Sequence, residues 1–232
     1  MRALALAIAP VGVLVGLVGL VGLVGNASAA GATDRGAIAG RVTVRQGGQT
    51  VDASGVVLYV VGFSEPPPAE TAAIHQSGKR FVPDILPITA GQAVTFPNDD
   101  PVFHNVFSPS PVHKFDLGQY PKGDAKTKRF PTVGVVEVFC NIHPQMAATI
   151  LVLPNRRFAR AQADGSFRLD EVPPGRWTVY AFSRRATEPV SVPVEVAAGG
   201  VADVTLALEE TRSDFAHPNK FGEKYRDPDK YR

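Results

Sequence analysis

The chain has 232 residues, enough for one large domain or two smaller ones with separate cores. Its 24 Lys and Arg nearly balance 22 Asp and Glu, a formal charge of +2, and no concentrated basic face of the kind a nucleic-acid partner needs is evident. A single cysteine, Cys140, excludes an internal disulfide.

Met1 and Arg2 open onto an apolar run from Ala3 to Gly25, followed by Asn26-Ala27-Ser28-Ala29. This pattern predicts an export signal over residues 1–29, with the small residues 27–29 as cleavage site and the periplasm as destination. The run reaches the length of a spanning helix, so an uncleaved anchor is the alternative, against which five glycines and a proline weigh. Cleavage would remove only Arg2 among the charges and leave the mature chain near +1. In an oxidising compartment Cys140 is then a small buried hydrophobe, an intermolecular cross-link or a metal ligand. No cysteine follows the signal, so lipid attachment there has no acceptor.

Ala37 to Val44 and Gly55 to Val61 are rich in β-branched residues and flank a Gly/Gln/Asp/Ser turn, which predicts two strands. Ser64 to Glu70 carries three consecutive prolines, a stiff extended connection that marks a boundary after residue 70. From 71 to 153 the pattern is strands and turns throughout. Phe81 to Thr89 and Ala93 to Phe96 flank Gly91, Asn98-Asp99-Asp100-Pro101 is a turn, and Val102 to Phe107 resumes the apolar run. Lys126 to Phe130, Val135 to Phe139 and Ala147 to Leu153 follow as strands. No window sustains a helical period, and the expected fold class is all-β, a compact antiparallel sandwich of Greek-key type.

The chemistry concentrates in Val136 to Met146, VEVFCNIHPQM. Cys140, His143 and Met146 are spaced C-x2-H-x2-M directly after an alternating strand, and a thiolate, an imidazole and a thioether together suit copper. His104, 36 positions upstream in another apolar strand, meets them if both strand ends lie at the same end of the sandwich. Taken singly, each residue has a plain structural explanation: a buried Cys or Met as packing, a His as a hydrogen-bonded filler. Jointly they make the His2Cys set with a weak axial Met that characterises blue copper centres. His75, His113 and His217 are expected at the surface.

FPNDDPVFHNVF followed by VFCNIHPQM resembles the cupredoxins, the blue copper electron carriers, over about residues 71–153. In that family the first ligand His is commonly followed by Asn, as in His104-Asn105, and one loop supplies the other three ligands. The short loop with Pro144 after His143 is most similar to the amicyanin type. Ile142 departs from the proline that several relatives carry there, a departure that changes none of the four ligand positions. The resemblance implies one type 1 copper site on His104, Cys140, His143 and Met146, cycling between Cu+ and Cu2+.

Beyond 153 the strands resume. Phe167 and Leu169, then Trp177, Val179 and Ala181, then Val190 to Val196 and Val204 to Leu208 alternate around turns. ADGSFRLDEVPPGRWTVYAF resembles the transthyretin-like regulatory domain of carboxypeptidases, whose opening is similar to Gly40 to Gly62. This implies a second β-sandwich split in two, with strands in 36–70 and 154–210 and the copper segment inserted at an exposed loop. Two independent tandem domains are the alternative. Residues 211–232 form a polar tail with a near-repeat, EKYR and DKYR, expected to be disordered.

The functional expectation is a periplasmic carrier of single electrons, not an enzyme, serving a redox partner such as a c-type cytochrome or a periplasmic dehydrogenase. No stable membrane insertion is expected after cleavage. The alternative is copper binding or delivery without redox turnover, which favours exposed Met-rich or His-rich segments that this chain lacks. A copper oxidase or reductase needs histidines for a second copper centre, often as His-x-His pairs, and no such pair is present. Hydrolytic zinc fits poorly, because four protein ligands leave no position for water.

Overall fold

The computed structural model describes residues 34–212 and 217–225. The expected export signal and the rest of the tail lie outside them. Gly36–Gln46 (β1), Gln49–Val51 (β2) and Val57–Val61 (β3) come first. They are followed by Ala72–Ala73 (β4), His75–Gln76 (β5), Phe81–Val82 (β6), Ile85–Thr89 (β7), Ala93–Pro97 (β8) and His104–Ser108 (β9). Next come Phe115–Tyr120 (β10), Ala125–Arg129 (β11), Gly134–Phe139 (β12) and Ala147–Leu153 (β13). Phe158–Arg160 (β14), Ser166–Val172 (β15), Gly175–Phe182 (β16), Val190–Val196 (β17) and Val201–Glu210 (β18) complete the described strands.

Among the described residues the strands sort into two sandwiches, an all-β arrangement with a core in each. In the framing sandwich β1 lies between β15, antiparallel, and β18, parallel, from Ala37 opposite Val201 to Gln46 opposite Glu210. Facing it, β3 lies between β14 and β16, with β17 at the edge. Strands before residue 62 and after 157 therefore share both sheets and a core that includes Ile38, Val42, Leu58, Val60, Leu169, Val179 and Leu206. Alternation selects the inward face: in β18, Val204, Leu206 and Leu208 are buried and their neighbours are exposed. Pro193, which cannot donate to a ladder, sits on the edge strand β17. Gly40 permits the parallel pairing, since a Cβ there would lie 1.8 Å from the Val204 carbonyl oxygen.

Residues 72–153 form the second sandwich, a five-stranded sheet ordered β10-β9-β12-β13-β7 facing the three strands β11-β8-β4. Phe96, Val106, Phe130, Val138 and Ile150 fill its core, and Cys140 and Met146 belong to the same cluster. Every residue of β13 is buried because each of its faces is covered. Ala148, Ile150 and Val152 point into this core. Leu151 and Leu153 instead pack with Val57, Ile85 and Phe182 in a third cluster against the framing sandwich.

The chain enters and leaves this second sandwich through a pinned neck. Asn155, fully buried, donates to the carbonyls of Val60 and Phe63, and the Glu65 amide donates to the Pro154 carbonyl. The Glu65 carboxylate, with a side chain only 7% exposed, accepts from Arg157 at 2.7 Å and from Arg35 at 3.0 Å.

Four expectations shift. The sandwich expected to be antiparallel also pairs β7 with β13 and β4 with β8 in parallel, which the long connections between those strands permit. Phe81 to Thr89 is two strands, because Pro83 has no N–H and the chain bends at Pro83 and Asp84. The strand expected from Val102 begins at His104, leaving Val102 and Phe103 exposed in the preceding loop. The tail was expected to be disordered, but residues 217–225 pack on the second sandwich, held by contacts described below.

Burial alone would raise the Glu65 carboxyl, but Arg157, the Arg156 amide and Arg35 outweigh it and hold it below its ordinary 4.5. A depressed folded value means that the group stabilises the fold above about pH 4.5 and ceases to as pH falls through the folded value. Glu65→Gln is expected to cost about 2 kcal/mol at pH 7, less than a fully buried pair because Arg35 and Arg156 are partly exposed. Urea unfolding at pH 7 and pH 3 should show the difference from wild type shrinking in acid.

Candidate metal centre

His104 is the first residue of β9 and Cys140 is the first after β12. These strands pair antiparallel with Phe107 opposite Phe139, a register that carries His104 and Cys140 to the same end of the sheet. The turn beyond is closed by the Cys140 amide donating to the Met146 carbonyl at 3.2 Å and the Met146 amide donating to the His143 carbonyl at 3.0 Å. His143 is thereby held on the turn, half-buried, with Pro144 next to it.

The donor atoms of His104, Cys140 and His143 all lie within 4.8 Å of one another. Cys140 Sγ is 4.0 Å from His104 Nδ1 and 3.9 Å from His143 Nδ1, and the two Nδ1 atoms are 3.0 Å apart. Met146 is fully buried in the same core cluster as Cys140, and the turn's backbone bonds tie it to Cys140 and His143. The structure thus gathers the three His and Cys donors and places Met146 at the far limb of their turn.

What orients His104 is Asp100, which the sequence offered only as part of a turn. His104 Nε2 lies 2.8 Å from Asp100 Oδ2, and the carboxylate also accepts the Gly78 and Lys79 amides at 2.7 Å each. Burial would raise the Asp100 carboxyl, but the Lys79 amide, His104 and the Gly78 amide outweigh it and hold it below its ordinary value. An ionised carboxylate only accepts, so Nε2 carries the proton and Nδ1 presents its lone pair toward Cys140 and His143. Asn98 supports this loop by donating to the carbonyls of Val102 and Tyr120 and accepting the Asp100 amide.

Burial pushes the Cys140 thiol up, while the amides of Asn105, Ile142 and His143 act in the opposite direction. His143 is pushed down to about 4, by burial first and then by His104 and Lys79. A buried thiol facing two imidazoles, with amides aimed at its sulfur, would become a thiolate if a bound cation supplied the missing charge. One sulfur and two imidazole nitrogens suit a soft or borderline transition-metal ion and not a hard cation such as calcium or magnesium.

The framing sandwich also reaches this turn. Arg184, buried in the loop after β16, donates to the Ala147 carbonyl at 3.2 Å and to Thr149 Oγ1 at 2.9 Å. The histidines expected at the surface divide: His75 is exposed and pairs with Asp99, whereas His113 is buried with Nε2 on the Thr132 carbonyl. His217 is half-buried, stacked on Phe139 with ring centroids 3.9 Å apart.

No protein-family model and no curated protein sequence matches the chain. Among solved structures, a purple cupredoxin from Nitrosopumilus maritimus is 27% identical, matched over 35% of this chain and 98% of its own, with a TM-score of 0.33. Its solved neighbours are cupredoxins. A reduced amicyanin variant is 20% identical over 41% of this chain and 97% of its own, with a TM-score of 0.35. A copper-containing nitrite reductase from Thermus scotoductus is 22% identical over 40% of this chain but only 25% of its own, also with a TM-score of 0.35. These cupredoxin neighbours cover a minor part of the chain, so the reading of the site rests on its donor atoms.

Asp100→Asn removes a charged acceptor behind His104 without changing its size. It is expected to weaken metal affinity about 10–100-fold, as outer partners of ligating histidines do. Competition with a chromophoric Cu(I) chelator checks this, and unchanged affinity would show that His104 does not need Asp100.

Proposed function

We propose that the protein is a type 1 copper protein, exported to the periplasm, which carries single electrons between redox partners and is not itself an enzyme. The observation that carries this reading is the facing of one thiol and two imidazole Nδ1 atoms in a buried turn, with Met146 on the next limb. Copper held by His104, Cys140, His143 and Met146 would supply one-electron chemistry between Cu+ and Cu2+. The protein's part is to hold these groups in place so that little reorganisation accompanies a change of charge. Cys140, His104 and Met146 are buried and exclude water, Asp100 fixes the His104 tautomer, and half-buried His143 faces a cleft. The framing sandwich, split in sequence around residues 72–153, is then a transthyretin-like frame for the copper segment.

Addition of one equivalent of Cu(II) is expected to give an intense visible thiolate-to-copper band. Cys140→Ser should abolish it, since an alcohol neither ionises readily nor donates soft electron density. Met146→Gln should keep the colour and lower the reduction potential, because a harder ligand in place of the thioether favours Cu(II). A colourless wild-type complex, or a blue Cys140 variant, would sink the assignment.

The cleft beside His143 is the proposed port for electrons. Pro101, Val102, Phe103 and Ile142 line it, with Phe103 56% exposed, and Lys79 is the charged member of its lining. A small apolar patch suits a brief encounter with a c-type cytochrome or a periplasmic dehydrogenase, and a chain near neutrality offers little long-range steering. Pro144→Asp and Ile142→Lys are expected to slow bimolecular reduction by candidate partners roughly tenfold while leaving the spectrum intact. Wild-type rates should vary little across an ionic-strength series. Unaltered rates in both variants, or abolition by salt, would move the port elsewhere.

A further inference from the structure

The tail segment 217–225 touches three consecutive residues of the thiolate limb, each through a different interaction. The His217 ring stacks on Phe139, 3.9 Å between centroids and 18° from parallel. The Tyr225 hydroxyl donates to the Cys140 carbonyl at 2.5 Å. The Lys220 amide donates to Asn141 Oδ1 at 2.8 Å, and its ammonium pairs with Asp116 on β10 at 2.7 Å.

The segment is shaped to make these contacts together. Asn219 Oδ1 accepts the amides of Phe221 and Glu223, the Gly222 amide donates to the Asn219 carbonyl, and Gly222 takes a positive φ of 82°. This tight turn sends Tyr225 back toward His217, whose rings meet edge to face at 5.3 Å. Lys220 and Tyr225 thus reach the limb from either side of one turn, with His217 beside them on Phe139.

We propose that residues 217–225 are a strap that locks the thiolate limb of the metal-binding turn, with Tyr225 as the positioning residue for Cys140. Cys140 is fully buried, so reagents and competing chelators reach its sulfur only when the limb opens. The strap holds the limb shut from the outside: the Tyr225 bond fixes the peptide plane after Cys140, the Lys220 bond fixes the next side chain, and the stacked imidazole fixes the one before. Loss of the strap therefore raises the open population, exposes the thiol and lets copper leave faster. The copper arm of this proposal rests on the type 1 reading above; the thiol arm does not.

The experiment uses the chain truncated after Arg212 and the full-length Tyr225→Phe variant, which loses one hydroxyl and keeps the ring. On metal-free protein, the reaction of Cys140 with a thiol reagent is timed at fixed pH and normalised to the unfolded chain's rate. Roughly tenfold acceleration is expected on truncation and about threefold for Tyr225→Phe, the scale of one or two lost contacts. On copper-loaded protein, the same order should appear in the rate of Cu(I) loss to a chelator, with a shifted thiolate-to-copper band. A Tyr225→Phe labelling rate equal to wild type overturns the proposal, as does a folded truncation whose Cys140 remains as protected as wild type. If the truncation does not fold, the Tyr225→Phe rate alone decides. If no variant or wild type binds copper with a blue band, the type 1 reading fails, while the labelling rates still decide whether the strap exists.

Discussion

The metal-binding cluster depends on the register between β9 and β12. With Phe107 opposite Phe139, the start of one strand and the end of the other share an edge, and His104 and Cys140 meet across 36 residues of sequence. A slip by one residue would turn His104 to the opposite face of its strand and separate the donors. The register is locked next to the site itself. Asn105, the residue after His104, accepts the Asn141 amide with its side-chain oxygen and donates to Asp116 with its side-chain nitrogen. One buried side chain thus joins β9 to the residue after Cys140 and to β10, while the Phe107 and Phe139 rings pack 5.9 Å apart.

Given that register, the remaining polar groups hold the donors so that they need not rearrange. Asp100 is itself fixed by two backbone amides before it fixes His104, so the order runs from backbone to carboxylate to imidazole. Such a chain is costly to bury unless each member is satisfied. Around Asp100 each carboxylate oxygen has a donor, and the Asn98 amide group is used at both ends. The sulfur is treated similarly, with amide N–H groups directed at it and an apolar core around it.

The donors were legible because chemistry and spacing coincide: one Cys, one internal Met, and a His after a strand of alternating character. The framing strands were legible for a different reason, since alternation in β1, β15 and β18 reports burial on one face without any knowledge of the partner. Other features were hidden. Asp100 lies in Asn98-Asp99-Asp100-Pro101, and turn composition alone does not distinguish a solvated carboxylate from one that orients a histidine. Gly118 interrupts β10, where the register shifts between Asp116 and Gln119, so the strand gives no clean period. Arg184 and Tyr225 act 37 and 85 residues away from the carbonyls they hold, through side chains that in sequence look like ordinary solvent-facing residues. The tail's low apolar content was a fair sign that it could not build a core, but a segment can be ordered by a surface that already exists.

The two carbonyls held by Arg184 and Tyr225 give the architecture a consequence for the site. Cys140 and Ala147 bracket the metal-binding turn, and neither clamp comes from the sandwich that contains it: Arg184 belongs to the frame and Tyr225 to the tail. The frame's grip extends beyond one bond. Thr149, which receives Arg184, also donates to Glu137 on β12, and burial pushes the Glu137 carboxyl up while Arg184 opposes it, so the guanidinium and carboxylate stabilise each other across β13. β13 is buried from both sides because the frame covers the face that a free-standing sandwich would present to water. The limb that carries Met146 therefore runs directly into a strand whose every residue is buried, while the limb that carries Cys140 is also held by a partly exposed segment nine residues long. If the tail is the strap proposed above, the thiolate limb, and not the methionine limb, is the one whose outer clamp can be released without disturbing the frame.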